Sequence, residues 1–393
     1  MRAALISLTG QPRSADGSAP LALAGKTLAR RQLDFALALG CESVIALGDG
    51  AAPEAIALRH AAEAAGARFQ AIRDSHGLLG AVRADDELLA LAPGLLPEAA
   101  DALELLSKGK VVLVLPAAAG TAAGFERIDL ERAWAGALMV GGAHVERLSD
   151  LPADIEPASA LVRIALQAHL KERRLPDNLI ADGSWTILRD GTGVPAIERG
   201  WLDRHLAAAT PWEPTRWLAD RALRPLAVRL LAVSRSADAM VAGAVTMLAA
   251  SVFVAWYGLA AASFALVPLG AVLAQAALAL NRLRIAPFGG AQRGRGVLAA
   301  LPWLVDAAIL GCSFLAIEGM ALHRLFPPLV LLGVLHIPRR ADPAGWTALP
   351  GDRGLLAALF ALAAGFGLAE AAIMLVALAL IALNIAQSRA KSG

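Results

Sequence analysis

The chain has 393 residues, enough for two or three domains, and its 57% hydrophobic content and mean hydropathy of +0.57 exclude an ordinary soluble enzyme. Charge is divided unevenly, because residues 206–393 hold 15 Lys and Arg against 8 Asp and Glu, a net +7, in a chain of net charge +2. The remaining residues therefore carry −5. This asymmetry predicts a cytosolic N-terminal domain, 1–205, joined to a membrane domain, and the apolar run at the N-terminus is too short for a signal peptide.

Short apolar runs alternate with helical patterns through the N-terminal domain. Apolar runs that predict strands cover residues 4–10, 43–50, 67–72, 87–94, 111–116 and 136–142, and helix-like periodicity covers 21–39, 53–65 and 161–172. The alternation predicts an α/β fold with a mostly parallel sheet of Rossmann type. Because ligands bind beyond the carboxyl ends of such strands, the loops after Leu8, Leu47 and Leu91 are the first places to look for a site.

These loops carry no strong generic motif. The Gly-Asp-Gly segment 48–50 leads into a helix but lacks the spacing of a dinucleotide fingerprint, and the Gly-Thr-Gly segment 191–193 fails in the same way. The two cysteines lie one in each half of the chain, which argues against a structural disulfide. The seven histidines are never closer than 13 positions, so no local zinc site is predicted.

An amphipathic helix is predicted at 206–237, between the two domains. Its apolar residues fall near one helical face, and its arginines supply charge. The apolar set is Leu218, Leu223, Leu226, Leu230 and Val233, and the basic set is Arg221, Arg224, Arg229 and Arg235. The helix is expected to lie at the cytosolic membrane surface; the alternative is a linker helix packed on the first domain.

Six apolar segments predict membrane-spanning helices near residues 239–257, 259–280, 297–317, 320–335, 355–368 and 371–386. The fourth and fifth are short. Basic residues cluster in the segments 221–235, 282–295, 339–353 and 389–391, which fall on one side of this arrangement, whereas only Arg324 is basic on the other side. The pattern predicts a multi-pass protein of the cytoplasmic membrane with both termini in the cytosol.

The arginine-rich loop between the second and third segments is the main candidate for an anion site. Its arginines are Arg282, Arg284, Arg293 and Arg295. Guanidinium groups hold phosphate through two parallel hydrogen bonds, which suits a nucleotide or lipid phosphate. The alternative is that they set topology and contact lipid head groups.

Residues 20–47, with the sequence PLALAGKTLARRQLDFALALGCESVIAL, resemble the first βαβ unit of the sugar-phosphate and inositol-phosphate nucleotidyltransferases, whose fold is shared with molybdenum-cofactor guanylyltransferases. Residues 77–82 are similar to that family's GPLAG segment, and 134–136 to a later strand. The resemblance covers residues 1–190. It implies a site where a glycine-rich loop and an arginine cradle the nucleotide phosphates. A lysine before a Pro-Leu pair then neutralises them, and an aspartate after a central strand holds a metal.

The chain departs from that pattern at each functional position. Gly10 and Arg13 are a vestige of the phosphate loop, Ala19 occupies the lysine position, and the Ala-Pro-Gly segment 92–94 stands where the metal aspartate is expected. The acidic pair at 85–86 is a candidate replacement, although an acidic turn before a strand is more often solvated surface. Without a carboxylate Mg²⁺ has no obvious ligand, so the domain is expected to hold no catalytic residue and no metal.

Six spans preceded by an interfacial helix resemble the CDP-alcohol phosphatidyltransferases, and with the first domain they resemble the fused inositol-phosphate cytidylyltransferase and di-myo-inositol phosphate synthase. That family's motif is D-x2-D-G-x2-A-R-x8-G-x3-D-x3-D, at the cytosolic end of the second and third spans. The resemblance implies that the first three aspartates bind metals at the CDP diphosphate and that the last deprotonates the acceptor hydroxyl. It assigns 238–393 as the membrane domain.

Every metal-binding carboxylate of that motif is replaced. With the motif arginine at Arg282, alanine occupies the first two aspartate positions, at Ala274 and Ala277, and the later two fall on 293–294 and 297–298. The APFGG segment 286–290 resembles the family's S-P-F-G segment. Asp306 lies about two helical turns deeper and is a functional hypothesis as an intramembrane acid, but one acid cannot rebuild a two-metal site.

The leading hypothesis is a pseudoenzyme of phospholipid or glycolipid head-group metabolism that binds a nucleotide or lipid phosphate or acts as a partner subunit. Two alternatives stay open: an active CDP-alcohol phosphotransferase whose arginines replace the metal, and a membrane scaffold or carrier without a phosphate ligand. No cofactor is expected, with Mg²⁺ only if a rearranged site exists. The expected partners are membrane lipids, a CDP-linked alcohol or nucleotide, and a second copy or an active paralogue, with no nucleic acid.

Overall fold

The chain divides into two units. The computed structural model describes residues 1–14, 17–206, 209–288, 295–337 and 345–389. An α/β unit comprises Met1–His205 and Ile285–Ala291, and a helical unit comprises Leu206–Arg284 and Gln292–Gly393. Each unit has its own hydrophobic core.

Strands and helices alternate along the α/β unit. The strands are β1 (Arg2–Ser7), β2 (Ala22–Leu23), β3 (Lys26–Thr27), β4 (Ser43–Leu47), β5 (Arg68–Ile72), β6 (Glu87–Leu91), β7 (Leu95–Pro97), β8 (Val111–Pro116), β9 (Arg132–Gly141), β10 (Glu172–Arg174) and β11 (Trp185–Ile187). The helices are α1 (Leu28–Ala38), α2 (Pro53–Ala64), α3 (Gly77–Ala81), α4 (Ala100–Ser107), α5 (Ala117–Ala122), α6 (Gly142–Val145), α7 (Pro157–Gln167), α8 (Asn178–Ala181) and α9 (Val194–His205).

Seven strands form one sheet in the order β10-β8-β9-β6-β1-β4-β5. Strand β9 is antiparallel to both of its neighbours, and the other pairs are parallel, which confirms the predicted mostly parallel α/β sheet. The chain leaves β1 for β4 on one side and later forms β6 on the other. A topological switch point therefore lies between β1 and β6, and crevices form outside the carboxyl ends of strands at such points.

The central strands are buried on both faces, which explains why the sequence located them well. Every residue of β4 and five of the six residues of β1 are buried. Parallel strands covered by helices on both sides are continuous apolar runs, with no alternation of polar residues. The side chains of β1 accordingly divide between two cores, with Leu5 in one and Ile6 in the other.

The predicted helix at 21–39 is wrong in its first third. Strands β2 and β3 form a short hairpin there, joined by Ala24 and Gly25, whose φ values are +48° and +78°. Two successive residues with positive φ are the requirement of a two-residue hairpin turn. Helix α1 begins only at Leu28, where the Thr27 hydroxyl accepts a hydrogen bond from the Arg30 N–H at 3.2 Å.

The described part of the helical unit is built of helices. They are α10 (Pro214–Leu223), α11 (Ala227–Ala232), α12 (Ser236–Trp256), α13 (Ala260–Ile285), α14 (Arg295–Ala316), α15 (Ala321–Leu335), α16 (Arg353–Gly365) and α17 (Ala369–Arg389). The last six coincide with the six predicted apolar segments.

Three of these helices are long and apolar enough to cross a membrane: Ser236–Trp256, Ala260–Ile285 and Gly296–Ala316. Helices α15 and α16 have 15 and 13 residues, so they extend only about 22 and 20 Å against a hydrocarbon thickness of roughly 30 Å. Large apolar side chains are exposed on the surface of the unit, including Phe253, Trp256 and Phe366. Exposed apolar side chains of this size on apolar helices are consistent with a surface that contacts lipid.

The single amphipathic helix predicted at 206–237 is broken into two. Helix α10 ends at Leu223 and α11 begins at Ala227, with a turn at 224–226. Pro225 accounts for the break, because proline lacks the N–H that would continue the helical hydrogen bonds and its ring crowds the carbonyl four residues earlier.

The cysteines agree with the prediction that they form no disulfide. Cys41 and Cys312 are both buried free thiols, one in each unit. Burial raises the pKa of Cys41 to about 12, so this thiol is neutral at physiological pH and packs as an apolar group.

Candidate functional site

A polar cavity of about 680 Å³ opens within the helical unit. Its lining combines three arginines and one histidine with small apolar residues from α13. The residues that line it include Arg216 of α10, Ala274, Gln275, Leu278 and Arg282 of α13, Pro302 and Val305 of α14, His336 after α15, and Asp352 and Arg353 at the start of α16. Segments far apart in sequence thus supply hydrogen-bond donors to one space.

Helix α13 contributes one wall of the cavity. Ala274, Leu278 and Arg282 are spaced four residues apart, so they lie along one face of the helix. The Nε–H of Arg282 makes a long contact of 3.4 Å with the Leu278 carbonyl oxygen. Among the residues that the structure describes, no carboxylate lies within 4.0 Å of the Arg282 guanidinium. Asp220 of α10 interacts electrostatically with both Arg282 and Arg216, so the Arg282 guanidinium has an acid nearby but makes no direct ion pair.

The opposite wall is built by a contact between α10 and α16. The Thr215 backbone N–H donates to the Asp352 carboxylate at 2.8 Å, and the Thr215 hydroxyl also donates to it. Asp352 caps α16 as well, accepting from the Leu355 N–H at 2.9 Å. The neighbouring Arg216 is held by Glu213 at 3.4 Å. These bonds fix the first turns of α10 and α16 beside the cavity.

Asp306, the predicted intramembrane acid, lies behind the cavity wall and is 4% exposed. Arg353 donates to its two carboxylate oxygens, at 3.0 Å from Nε and 3.4 Å from Nη2. The His336 Nε2 lies 3.4 Å from Asp306 Oδ2, and the His336 ring stacks on Trp303 with centroids 4.7 Å apart. Asp306 therefore positions two residues that line the cavity, Arg353 and His336.

We expect Asp306 and Arg353 to be energetically coupled. In a double-mutant cycle of Asp306→Asn and Arg353→Gln, the coupling energy should be about 1–3 kcal/mol, because removing either partner leaves a largely buried charge without its counterpart. The measurement is denaturant unfolding of the full-length protein in detergent. The exposed pair His323 and Glu370, 2.9 Å apart, provides the control and should show a coupling below about 1 kcal/mol. Equal coupling for the two pairs would contradict the assignment.

Of the four arginines predicted to form an anion site, the structure describes the side chains of Arg282 and Arg284, which make different contacts. Arg282 lines the cavity, but the Arg284 guanidinium donates to the Val233 carbonyl at 2.6 Å and to the Ser236 hydroxyl at 2.8 Å, and Arg284 does not line the cavity. Arg293 lies outside the described residues. Arg295 begins α14, and its side chain also falls outside the described part. Helical geometry explains the difference, because residues two apart point to different sides of a helix.

Sequence reasoning missed Arg216, His336 and Arg353, which share the cavity with Arg282. Arg216 and Arg353 lie 137 positions apart, and the positive-inside pattern accounts for each without a ligand. A weak signal was present in Asp352-Arg353, where an acid in the N-cap position is followed by a basic residue at a helix start, a position at which basic residues are unfavourable.

The cavity contains two carboxylates beside its arginines. Asp352 accepts from Thr215, and Glu213 pairs with Arg216. Ala274 and Ala277, which occupy the positions where the resembled family has aspartates, are both buried apolar residues. In the described ranges no group of three or more His, Cys, Asp or Glu is placed to hold a metal ion.

The switch point of the α/β unit is bridged by two glutamines. Gln11, in the loop after β1, accepts from the Gly94 N–H at 3.0 Å and donates to the Ser7 carbonyl at 2.8 Å. The fully buried Gln32 of α1 donates to the Ala92 and Leu95 carbonyls at 2.9 and 3.0 Å. These bonds tie together the two loops between which a ligand of such a sheet would bind.

A smaller cavity of about 310 Å³ lies at the carboxyl edge of the same sheet. Gly10, the predicted vestige of a phosphate loop, lines this cavity, but Arg13 does not, and its guanidinium donates to the Gly17 carbonyl at 3.3 Å. Asp86 lies at the opposite edge, before β6, where it pairs with the N-terminal amino group at 3.0 Å. The acidic pair 85–86 therefore cannot replace a metal ligand at the carboxyl edge.

Gly94 leaves no room for the aspartate that the resembled family has in this loop. Its φ is +76°, and a Cβ atom there would lie 2.1 Å from the Leu188 carbonyl oxygen. We expect Gly94→Asp to lower the unfolding free energy of the α/β unit by at least about 2 kcal/mol more than Gly66→Asp, a glycine of similar φ with open space around it. Hydrogen exchange of β1 and β6 amides in the full-length protein measures both. Equal losses would show that the loop adapts.

No protein-family model matches the chain, and no curated protein is similar to it at a significant level. The function of the protein is therefore inferred from the geometry of the cavity.

Proposed function

We propose that the protein binds a phosphate-bearing ligand in the cavity of the helical unit without turning it over. The observation that carries this proposal is the guanidinium of Arg282, which lines the cavity and makes no direct ion pair within the described residues, although Asp220 acts on it at longer range. Arg216, Arg353 and His336 add further donors around the same space. Charge-assisted hydrogen bonds from guanidinium groups are the strongest that a protein offers to phosphate.

The proposal extends to a pseudoenzyme of phospholipid or glycolipid head-group metabolism. It is supported by the resemblance to CDP-alcohol phosphatidyltransferases in the helical unit, with alanine at two metal-binding positions, and to nucleotidyltransferases in the α/β unit. The glutamine bridge at the switch point and the closed surroundings of Gly94 also favour an α/β unit retained as a structural domain. In this proposal the protein is a binding subunit, either in a homodimer or in a complex with an active paralogue.

Binding of CDP-ethanolamine to the full-length protein in detergent tests the proposal. We expect the affinity for CDP-ethanolamine to stay the same when Mg²⁺ is removed with EDTA, because the arginines of the cavity would bind the diphosphate without a metal. Binding that requires Mg²⁺ would overturn the metal-free site, and absence of binding would favour a scaffold. Release of CMP from the bound ligand in the presence of an acceptor alcohol would assign the protein to the active phosphotransferases instead.

We further propose six membrane crossings, with both termini in the cytosol and the cytoplasmic membrane as the location. Helices α15 and α16 are short for a bilayer, and tilt, flanking residues or local thinning would accommodate them. The basic segments on one side of this arrangement support the orientation.

Reporter fusions test this topology. A reporter placed after Lys391 and one inserted in the loop between Arg282 and Arg295, after the end of α13, should both be cytosolic, because each follows an even number of crossings. A reporter in the turn at 366–368, between α16 and α17, should be on the other side and serves as the control. A periplasmic signal from either of the first two fusions would contradict the six-crossing arrangement.

A further inference from the structure

We infer that the ligand is an anionic phospholipid, with its phosphate in the arginine-lined cavity and one acyl chain in an apolar groove beside it. This inference rests on the proposed phosphate site and specifies the chemical class of its ligand. The groove has a volume of about 400 Å³ and lies between α16 and α17. Its lining is almost wholly apolar and consists of Leu349, Pro350, Leu355, Leu356, Leu359, Val376, Ala379, Leu380 and Leu383.

The groove and the cavity adjoin each other along the chain. Gly351, Asp352, Arg353 and Gly354 line the cavity, whereas the flanking residues Leu349, Pro350, Leu355 and Leu356 line the groove. Consecutive Cα atoms are only 3.8 Å apart, so the two spaces lie on either side of the start of α16. In the inferred complex the ligand passes over this segment, with its charged end in the cavity and its apolar end in the groove.

The chemistry of the two spaces specifies that molecule. The cavity offers three guanidinium groups, which bind phosphate, beside two carboxylates that already have partners, while the groove offers only leucine, valine, alanine and proline side chains. From Val376 to Leu383 the groove follows α17 for about 10 Å. A soluble CDP-alcohol would leave this length unfilled, whereas an acyl chain would occupy it.

The test uses full-length protein in phosphatidylcholine nanodiscs and two photoactivatable probes with the same diazirine in one acyl chain. The first probe is phosphatidic acid and the second is phosphatidylcholine. Crosslinked peptides are mapped by mass spectrometry. Labelling by phosphatidic acid should concentrate on Val376, Leu380 and Leu383, whereas phosphatidylcholine should label the exposed face of α17, such as Leu375 and Leu378.

Three variants separate the groove from the phosphate site. Ala379→Trp fills the groove, and Ala371→Trp is the matched control, an exposed alanine about 12 Å earlier on the same helix. Groove labelling by phosphatidic acid should fall in Ala379→Trp and stay unchanged in Ala371→Trp. Arg282→Gln should lower groove labelling by phosphatidic acid at least about tenfold, the change expected from the loss of one charge-assisted hydrogen bond.

Different experimental results would contradict the lipid groove and the phosphate site. If both probes label α17 in the same pattern, or if Ala379→Trp and Ala371→Trp behave alike, the groove holds no specific lipid and the inference is wrong. CDP-ethanolamine binding that still depends on Arg282 would then leave the phosphate site standing. Loss of both results would overturn the proposed function as well.

Discussion

Replacing Glu98 with glutamine should lower the free energy of unfolding of the α/β unit by about 3–5 kcal/mol, because it leaves a buried arginine without its counter-charge. Arg31 and Glu98 form an ion pair in which the side chains are 3% and 1% exposed. The Trp201 indole N–H donates to the same Glu98 oxygen at 2.8 Å, and the Arg31 guanidinium stacks over the Trp201 ring at 4.8 Å. The pair thus holds α9 against β7 and α1.

The cost is large because isolated charge is poorly tolerated in a protein interior. The other Arg31 bond, to the Leu23 carbonyl at 2.6 Å, does not supply a negative charge. The double variant Arg31→Met with Glu98→Gln removes both charges, and it should be more stable than Glu98→Gln alone. A double variant that is more stable than Glu98→Gln would show that the single variant loses stability because Arg31 lacks its counter-charge. A loss of packing would not be reversed in this way.

Hydrogen exchange of the full-length protein measures the effect, read from the slowest amides of β1 and β6. The matched control is Glu104→Gln, since Glu104 forms an ion pair with Lys108 on the surface and should show little change. If Glu98→Gln and Glu104→Gln have the same effect, the buried pair does not stabilise the unit. If the double variant is the less stable one, the orphaned-charge explanation is wrong.

The sequence predicted the sheet far better than it predicted the cavity. Strands such as β4 are apolar throughout, so local composition identifies them without knowledge of their neighbours. The hairpin at β2 and β3 was missed because its turn, Ala24-Gly25, requires alanine at a positive φ, which no propensity rule suggests. Pro225 indicates a helix break in the sequence, but the prediction of one helix followed the hydrophobic periodicity instead.

The cavity could not be predicted because its residues meet only through tertiary packing. Arg282 was identified from its place in a motif, but nothing local distinguishes it from Arg284, which points elsewhere. Arg216 and Arg353 come together through the bond between Thr215 and Asp352, a contact across 137 positions. Charge counted along a sequence predicts which side of a membrane a loop occupies, but not which guanidinium groups share a space.

Both units show the same kind of change at positions where carboxylates are expected. In the α/β unit, Gly94 is enclosed by Leu188 and bonded by Gln11. In the helical unit, Ala277 is fully buried and does not line the cavity, so a carboxylate there would be costly to place, whereas Ala274 lines the cavity. Introducing a single carboxylate is therefore not expected to create a two-metal site in either unit, since Gly94 and Ala277 are enclosed and one acid at Ala274 would be alone.

The arginines that line the cavity should contribute strongly to the affinity for a phosphate-bearing ligand. Replacing Arg216 and Arg282 together with glutamine should weaken the affinity for CDP-ethanolamine at least about a hundredfold, because each lost charge-assisted hydrogen bond contributes about 1.5–3 kcal/mol. Both residues line the cavity, and their acidic neighbours Glu213 and Asp220 are only partly buried, so the fold should remain intact at a small cost in stability. Arg353 is left unchanged in this variant because its removal would orphan Asp306.

Arg284→Gln is the control for that double variant, since Arg284 lies two residues from Arg282 on α13 and contacts Val233 and Ser236 outside the cavity. Its affinity for CDP-ethanolamine should match that of the parent protein. If the arginines serve only topology and lipid head groups, all the variants should retain the parent affinity and lose only about 1 kcal/mol per charge in membrane association. The two explanations therefore predict different orders of affinity among the same proteins, and equilibrium binding in detergent decides between them.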